Sequence, residues 1–161
     1  MKKFQFIMLT ILLVVAFVAC KSKKNEEPVN EEPISVNDEI LATVTVQESE
    51  ETTYTQNGVK VKVQMSDFVE NALDIYLYAV SFSEKMPVKL DVIIPSVSVD
   101  NQGLLSANNV IPMMMTPGGQ QPVEKYLVTD LKGQLSEQSG KIEGFSVSLK
   151  FGEYPTTIKM E

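Results

Sequence analysis

The chain predicts an all-β fold, a single antiparallel up-and-down meander β-barrel of about eight strands. Three observations lead there. From residue 40 onward, apolar and polar residues alternate with period two through most of the chain, the pattern of half-buried strands. The alternating runs are short and separated by turn chemistry such as Asn101-Gln102-Gly103 and Gln138-Ser139-Gly140. Beyond a single turn, no stretch of this region carries the 3.6-residue period of a helix. About eight such strands argue for a sandwich or an up-and-down barrel. Short connections favour pairing of each strand with the next, and eight strands, once closed, enclose an interior that side chains fill or that holds one small ligand.

The region ahead of the barrel is an address. Lys2 and Lys3 are followed by an apolar or small run over residues 6–19, ending at Cys20, the only cysteine of the chain. This is the layout of a secretory signal, and the run is short for a membrane span, which needs about 20 residues. Residues Phe17 to Cys20 resemble a bacterial lipobox, with Phe17 where leucine is usual. The resemblance implies that the Cys20 thiol is acylated before cleavage and becomes the lipidated first residue. The plain alternatives are an uncleaved anchor helix or an ordinary signal peptide with an incidental cysteine. Acylation also accounts for a lone thiol in an exported protein. The division is then a signal over 1–19, a lipidated cysteine with a flexible tether over 20–39, and the barrel over 40–161.

The tether is basic at Lys21, Lys23 and Lys24, acidic at Glu26, Glu27, Glu31 and Glu32, and interrupted by Pro28 and Pro33. Nothing in it can build a core, so it is expected to be a solvated spacer. Lys21 directly behind Cys20 fits sorting to the outer membrane, and the acidic residues begin only at Glu26, which leaves surface display open.

The strands follow in order. Ala42, Val44 and Val46 alternate with threonines and Gln47; Val59, Val61, Val63 and Met65 alternate with Lys60, Lys62 and Gln64. Between them both Glu48-Ser49-Glu50-Glu51 and Asn57-Gly58 are turn-like, Asn-Gly being a strong hairpin signal. Residues 66–71 suit one helical turn, with Asp67 and Glu70 at capping-box spacing. Ile75, Leu77 and Ala79 are placed on one face of the next strand and Tyr76, Tyr78, Val80 and Phe82 on the other. Leu90, Val92 and Ile94, then Val97 and Val99, form a strand in which Pro95 calls for a bulge or a local edge. Residues 104–115 are expected to be a strand containing Pro112, and 116–122 a flexible loop. Leu127, Thr129, Leu131, Gly133 and Leu135 form one alternating face and Phe145, Val147, Leu149 and Phe151 another, a hairpin around the turn Gln138-Ser139-Gly140; Ile158 and Met160 close the chain in a last short strand.

The successions 75–82 and 90–99, Leu131-Lys132-Gly133-Gln134-Leu135 leading into 145–151, and the closing Ile158-Lys159-Met160-Glu161 resemble the calycin-like β-barrel domain of lipoproteins from Bacteroides-type bacteria. The likeness spans residues 41–161. It implies a lipocalin-like barrel on a lipidated tether, and it carries no catalytic residues to transfer.

Composition narrows the chemistry. The chain has no histidine and no arginine, which removes Ser-His or Cys-His relays, the commonest zinc ligand and bidentate phosphate recognition. The formal charge is −7; loss of Lys2 and Lys3 with the signal leaves 12 lysines against 21 acidic residues, a charge of −9. Nucleic acid is a poor partner for that surface. Met113, Met114 and Met115 invite a soft-metal site, but consecutive strand residues alternate faces and do not converge on one ion, so core filling or a pliable pocket lining is expected. No cofactor and no metal are implied. Paired carboxylates are the catalytic route the composition leaves, with Asp67, Glu70 and Asp74 as candidates for a hydrolase; capping and solvation explain them equally. Tyr76, Tyr78 and Phe82 carry more information, as a cavity lining if inward or a sticky patch beside Lys60 and Lys62 if outward.

The expectation is therefore a non-enzymatic envelope lipoprotein, anchored through Cys20 and directed to the outer membrane, whose barrel binds a small apolar or amphipathic molecule. The candidate lining is Ile75, Tyr76, Leu77, Tyr78 and Phe82. The alternative from another class is a structural protein that holds an envelope partner by its outer face or an edge strand, with Val61, Val63, Leu131, Val147 and Leu149 filling the interior.

Overall fold

The computed structural model describes residues 34–86 and 88–161. The signal, Cys20 and the first part of the tether lie outside the described residues. The described chain folds as ten strands: β1 (Asn37–Gln47), β2 (Thr53–Met65), β3 (Ala72–Val80), β4 (Leu90–Val99), β5 (Leu104–Ala107), β6 (Met113–Thr116), β7 (Gly119–Pro122), β8 (Val128–Gln138), β9 (Lys141–Phe151) and β10 (Tyr154–Met160), with one 3₁₀ turn over Glu124–Tyr126. Every pairing between them is antiparallel.

Eight strands close on themselves as an up-and-down meander. Each of β1 to β4 pairs with the next, β5 pairs with β8, and β8, β9 and β10 lead back to β1. The other two strands form a hairpin outside the ring: β6 pairs with β4 at Val92 and Ile93, and β7 pairs with β6. Residues 104–115 are thus not one strand. Leu104–Ala107 continues the barrel, and Pro112 precedes a second strand laid along the other half of β4. Residues 116–122, expected as a loop, form the turn of this hairpin and all of β7.

The barrel also begins earlier than the alternation suggested. β1 starts at Asn37, Val36 is buried, and its carbonyl accepts the Met65 N–H at 3.1 Å. The polar run Asn37-Asp38-Glu39 looks like tether but pairs with Gln64, Val63 and Lys62.

The interior is filled by the inward residues of all eight ring strands, among them Val44, Val61, Ile75, Leu77, Ile94, Leu131, Val147 and Ile158, each 0–1% exposed. They join in one apolar cluster. Burying side chains of this size contributes about 1.5–3 kcal/mol each. At one end of the barrel Phe82 packs against Phe151, with ring centroids 4.5 Å apart, and against Tyr126 at 5.5 Å.

Bulges decide which side chains point in. Ala79 (φ 51°), Ser96 (φ 56°) and Asp130 (φ 54°) occupy the left-handed region, and the register shifts at each. An inserted residue shifts the period-two alternation. On β3 it returns Val80 to the interior after Leu77, and the chain then buries Phe82, so the expected face shared by Tyr76, Tyr78, Val80 and Phe82 is split. On β8 the bulge puts both Val128 and Leu131 inside, where simple alternation would group Leu127 with Leu131. The bulge at Pro95-Ser96 falls where the proline called for one. Asn57-Gly58 is likewise a bulge within β2, opposite Thr43, with Gly58 at φ 66°, and the β1–β2 turn lies at residues 48–52. Residues 66–71 form a turn without a helix. The β8–β9 hairpin matches its sequence signal: Ser139 (φ 55°) and Gly140 (φ 78°) are the two positive-φ residues that a type I′ turn requires.

Candidate binding groove on the outer face

The register of β2 against β3 builds a strip of lysines and tyrosines on the outer surface. Lys60 faces Tyr78, Lys62 faces Tyr76 and Gln64 faces Asp74. Tyr76 and Tyr78, two residues apart on β3, stack with centroids 6.4 Å apart and planes 15° from parallel. Lys62 Nζ lies 5.5 Å from the Tyr76 ring and Lys60 Nζ 5.6 Å from that of Tyr78, within cation–π range. Lys60 also pairs with Glu39 at 2.8 Å; the hydrogen bond and charge of Glu39 hold its ammonium above the ordinary lysine range.

Beside this strip, the β2–β3 turn and the β6–β7 hairpin rise on either side of β3 and β4 to frame a groove of about 270 Å³. Its apolar lining is Phe68, Tyr76, Ile93, Pro95 and Met113, and its polar lining is Ser66, Asp67, Asp74, Ser96 and Gln120. Phe68 stands at the rim with 93% of its surface in solvent. Asp74 Oδ1 accepts the Ser96 N–H at 2.9 Å and so fixes the bulge that shapes the floor. Gln64 Nε2 donates to the Tyr76 phenol oxygen at 3.2 Å. Burial first, then the charges of Asp74, Tyr78 and Asp67, push the Tyr76 phenol above its ordinary value.

The five lining residues expected from sequence divide between two environments. Ile75, Leu77 and Phe82 are buried in the interior cluster, whereas Tyr76 and Tyr78 are half-buried on the outer face. They do not form one site. Of the five, only Tyr76 lines the groove. Of the three carboxylates considered, Asp67 and Asp74 share the groove and Glu70 lines a different one, a shallow depression of about 610 Å³ with Ser98, Leu104 and Lys132. Met113 takes the pocket-lining role open to it, while Met115, paired with Gln120 nearer the hairpin turn, is 42% exposed. Phe68 and Gln120 had no sequence signal, because one lay in an expected helical turn and the other in an expected loop.

Comparison with protein-family models, with curated proteins and with solved structures gave no match. Fold and groove stand on the chain's own residues: a closed antiparallel barrel of eight strands, consistent with a calycin-like fold, carrying an aromatic and acidic groove on its wall.

Proposed function

We propose that this chain is a non-enzymatic envelope lipoprotein of the calycin-like barrel type found in Bacteroides-type bacteria, held at the outer membrane by lipidated Cys20, and that it binds a small amphipathic molecule in the Tyr76 groove on the barrel wall. The observation that carries this reading is the contrast between the two candidate sites. Inward side chains pack the barrel axis as one cluster, while the outer groove leaves Tyr76, Ile93 and Met113 lining open space beside polar groups. A concave, mostly apolar lining with a few convergent polar groups is the usual form of a small-molecule site.

The test uses the neutral fluorophore N-phenyl-1-naphthylamine with the full chain. Saturable fluorescence enhancement is expected, weakened about tenfold by Tyr76→Ser or Phe68→Ser and unchanged by Val61→Ala in the interior. Enhancement lost with Val61→Ala but not with the groove variants would place the ligand inside the barrel and sink the proposal.

One observation favours a second reading, a hold on a partner protein. Within the described sheet β7 pairs on one side alone, with β6, and all four of its residues are exposed. A free edge of this kind accepts an added strand. N-methylation of the Gln120 backbone amide, the one N–H that β7 turns away from β6, separates the two readings: it would weaken partner capture and leave fluorophore binding intact.

A further inference from the structure

The groove carries more information than its size. We infer that it selects a small organic cation, an amine or trimethylammonium group with apolar substituents, held between Phe68 and Tyr76 and neutralised by Asp67 and Asp74. This inference rests on the groove being the binding site and names the class of its ligand.

Three observations lead to it. Among the described residues, both charged groups lining the groove are carboxylates and no lysine lines it. Neither Asp67 nor Asp74 is in an ion pair among the described residues, where the pairs are Lys60–Glu39 and Lys150–Asp130. The negative potential is felt at the ring itself, since Asp74 and Asp67 both contribute to holding the Tyr76 phenol protonated. An aromatic face beside an uncompensated carboxylate is the chemistry that recognises a weakly hydrated ammonium.

The arrangement also explains the exposure of Phe68. A phenyl ring 93% in solvent on a turn is a cost to the free protein, and Phe68 nevertheless belongs to the groove wall. Closing over an alkylammonium would bury the ring against ligand methyl groups, opposite Tyr76. Lys62 sits on the Tyr76 ring from the β2 side, so the protein already stabilises one cation on this tyrosine, and the carboxylates lie on the groove side. An anionic ligand would meet Asp67 and Asp74 in the groove itself, with the Lys62 ammonium on the β2 side of Tyr76. A carboxylate or phosphate ligand is therefore disfavoured there, and the strongly acidic chain as a whole attracts cations.

Choline and its uncharged isostere 3,3-dimethylbutan-1-ol differ in charge and hardly in shape, and titration of each into the full chain, followed by NMR of the Tyr76 ring and Met113 methyl signals, tests the inference. Choline is expected to bind about tenfold tighter than the alcohol. Asp67→Asn should close most of that gap; Asp67 is exposed and its side chain makes no hydrogen bond among the described residues, so the variant retains its structure. Phosphocholine distinguishes the source of the cation. Weaker binding than choline assigns a free amine, as the carboxylates predict, and equal binding assigns a lipid headgroup. Equal affinity for choline and the alcohol, or an unchanged gap in Asp67→Asn, would overturn cation selection while leaving the groove as a binding site. Absence of any shift at Tyr76 and Met113 with either compound would overturn the groove itself.

Discussion

The Ala79 N–H donates to Asp91 Oδ1 at 2.7 Å across the β3–β4 pair. Ala79 is the residue that breaks the alternation of β3, held at φ 51°, and the aspartate on the facing strand satisfies the amide that the bulge takes out of the ladder. Ser96 and Asp74 repeat the device with the roles of the strands exchanged. The orientation of everything beyond Ala79, including the burial of Phe82, depends on this pair.

Asp91→Ala should destabilise the barrel by about 1–2 kcal/mol, because it strands a backbone donor while leaving the bulge in place. Ala79→Gly should act in the opposite sense and stabilise by up to about 1 kcal/mol, since glycine enters the left-handed region without a Cβ penalty. Urea unfolding followed by circular dichroism measures both. An Ala79→Gly variant weaker than the parent would show that the Cβ contributes packing that outweighs its strain.

Gly103 offers a sharper backbone test. It sits at φ 77°, its carbonyl accepts the Leu135 N–H at 2.8 Å, and a Cβ there would collide with the Leu135 carbonyl oxygen. Gly103→Ala should lower the unfolding midpoint by an amount equivalent to at least about 2 kcal/mol, and a midpoint equal to that of the parent would contradict the close approach of the 100–103 turn to β8.

Leu77 and Tyr78 are neighbours in sequence on opposite faces of one strand. Leu77→Ala, at 0% exposure, should cost about 2–5 kcal/mol, whereas Tyr78→Ala, on the outer strip, should cost less than half as much. Equal losses in urea unfolding would contradict the assignment of inner and outer faces.

Tyr76 should ionise above the ordinary tyrosine range. Its phenol is raised chiefly by burial and secondarily by Asp74, Tyr78 and Asp67, so the folded state favours the protonated form more than the unfolded state does. The associated stability is fully present below the ordinary tyrosine value near 10 and is lost as the pH rises through the higher folded value. In an ultraviolet titration of tyrosinate, Tyr76→Phe should remove a component that titrates above the ordinary tyrosine range; an unchanged titration above that range would contradict the burial of the phenol.

Cys20→Ser should release the protein from membranes or leave an unprocessed precursor, with the circular dichroism of the barrel unchanged. Membrane fractionation of a mature-length Cys20→Ser chain identical to that of the parent would eliminate the lipid anchor.

The sequence by itself determined that the domain is antiparallel all-β, a sandwich or a meander barrel, because period-two alternation and frequent turn residues admit few other solutions; closure into a ring was decided by the β1–β10 and β5–β8 pairings. It located the bulge at Pro95, since a proline cannot serve the ladder, and the turn at Ser139-Gly140, since few residues accept two consecutive positive φ angles. It could not determine which side of the wall each aromatic residue occupies. Alternation is read by parity, and one inserted residue reverses parity; Ala79 and Asp130 are not bulge-formers by composition, and they become so because facing strands supply the register and, at Ala79, a carboxylate. Tertiary structure alone decided that Phe82 belongs with Phe151 in the interior while Tyr76 remains outside. It alone brought Phe68 from one turn and Met113 from a later hairpin to the same groove, because contacts between distant segments are set by the closure of the sheet and leave no periodic trace in either segment.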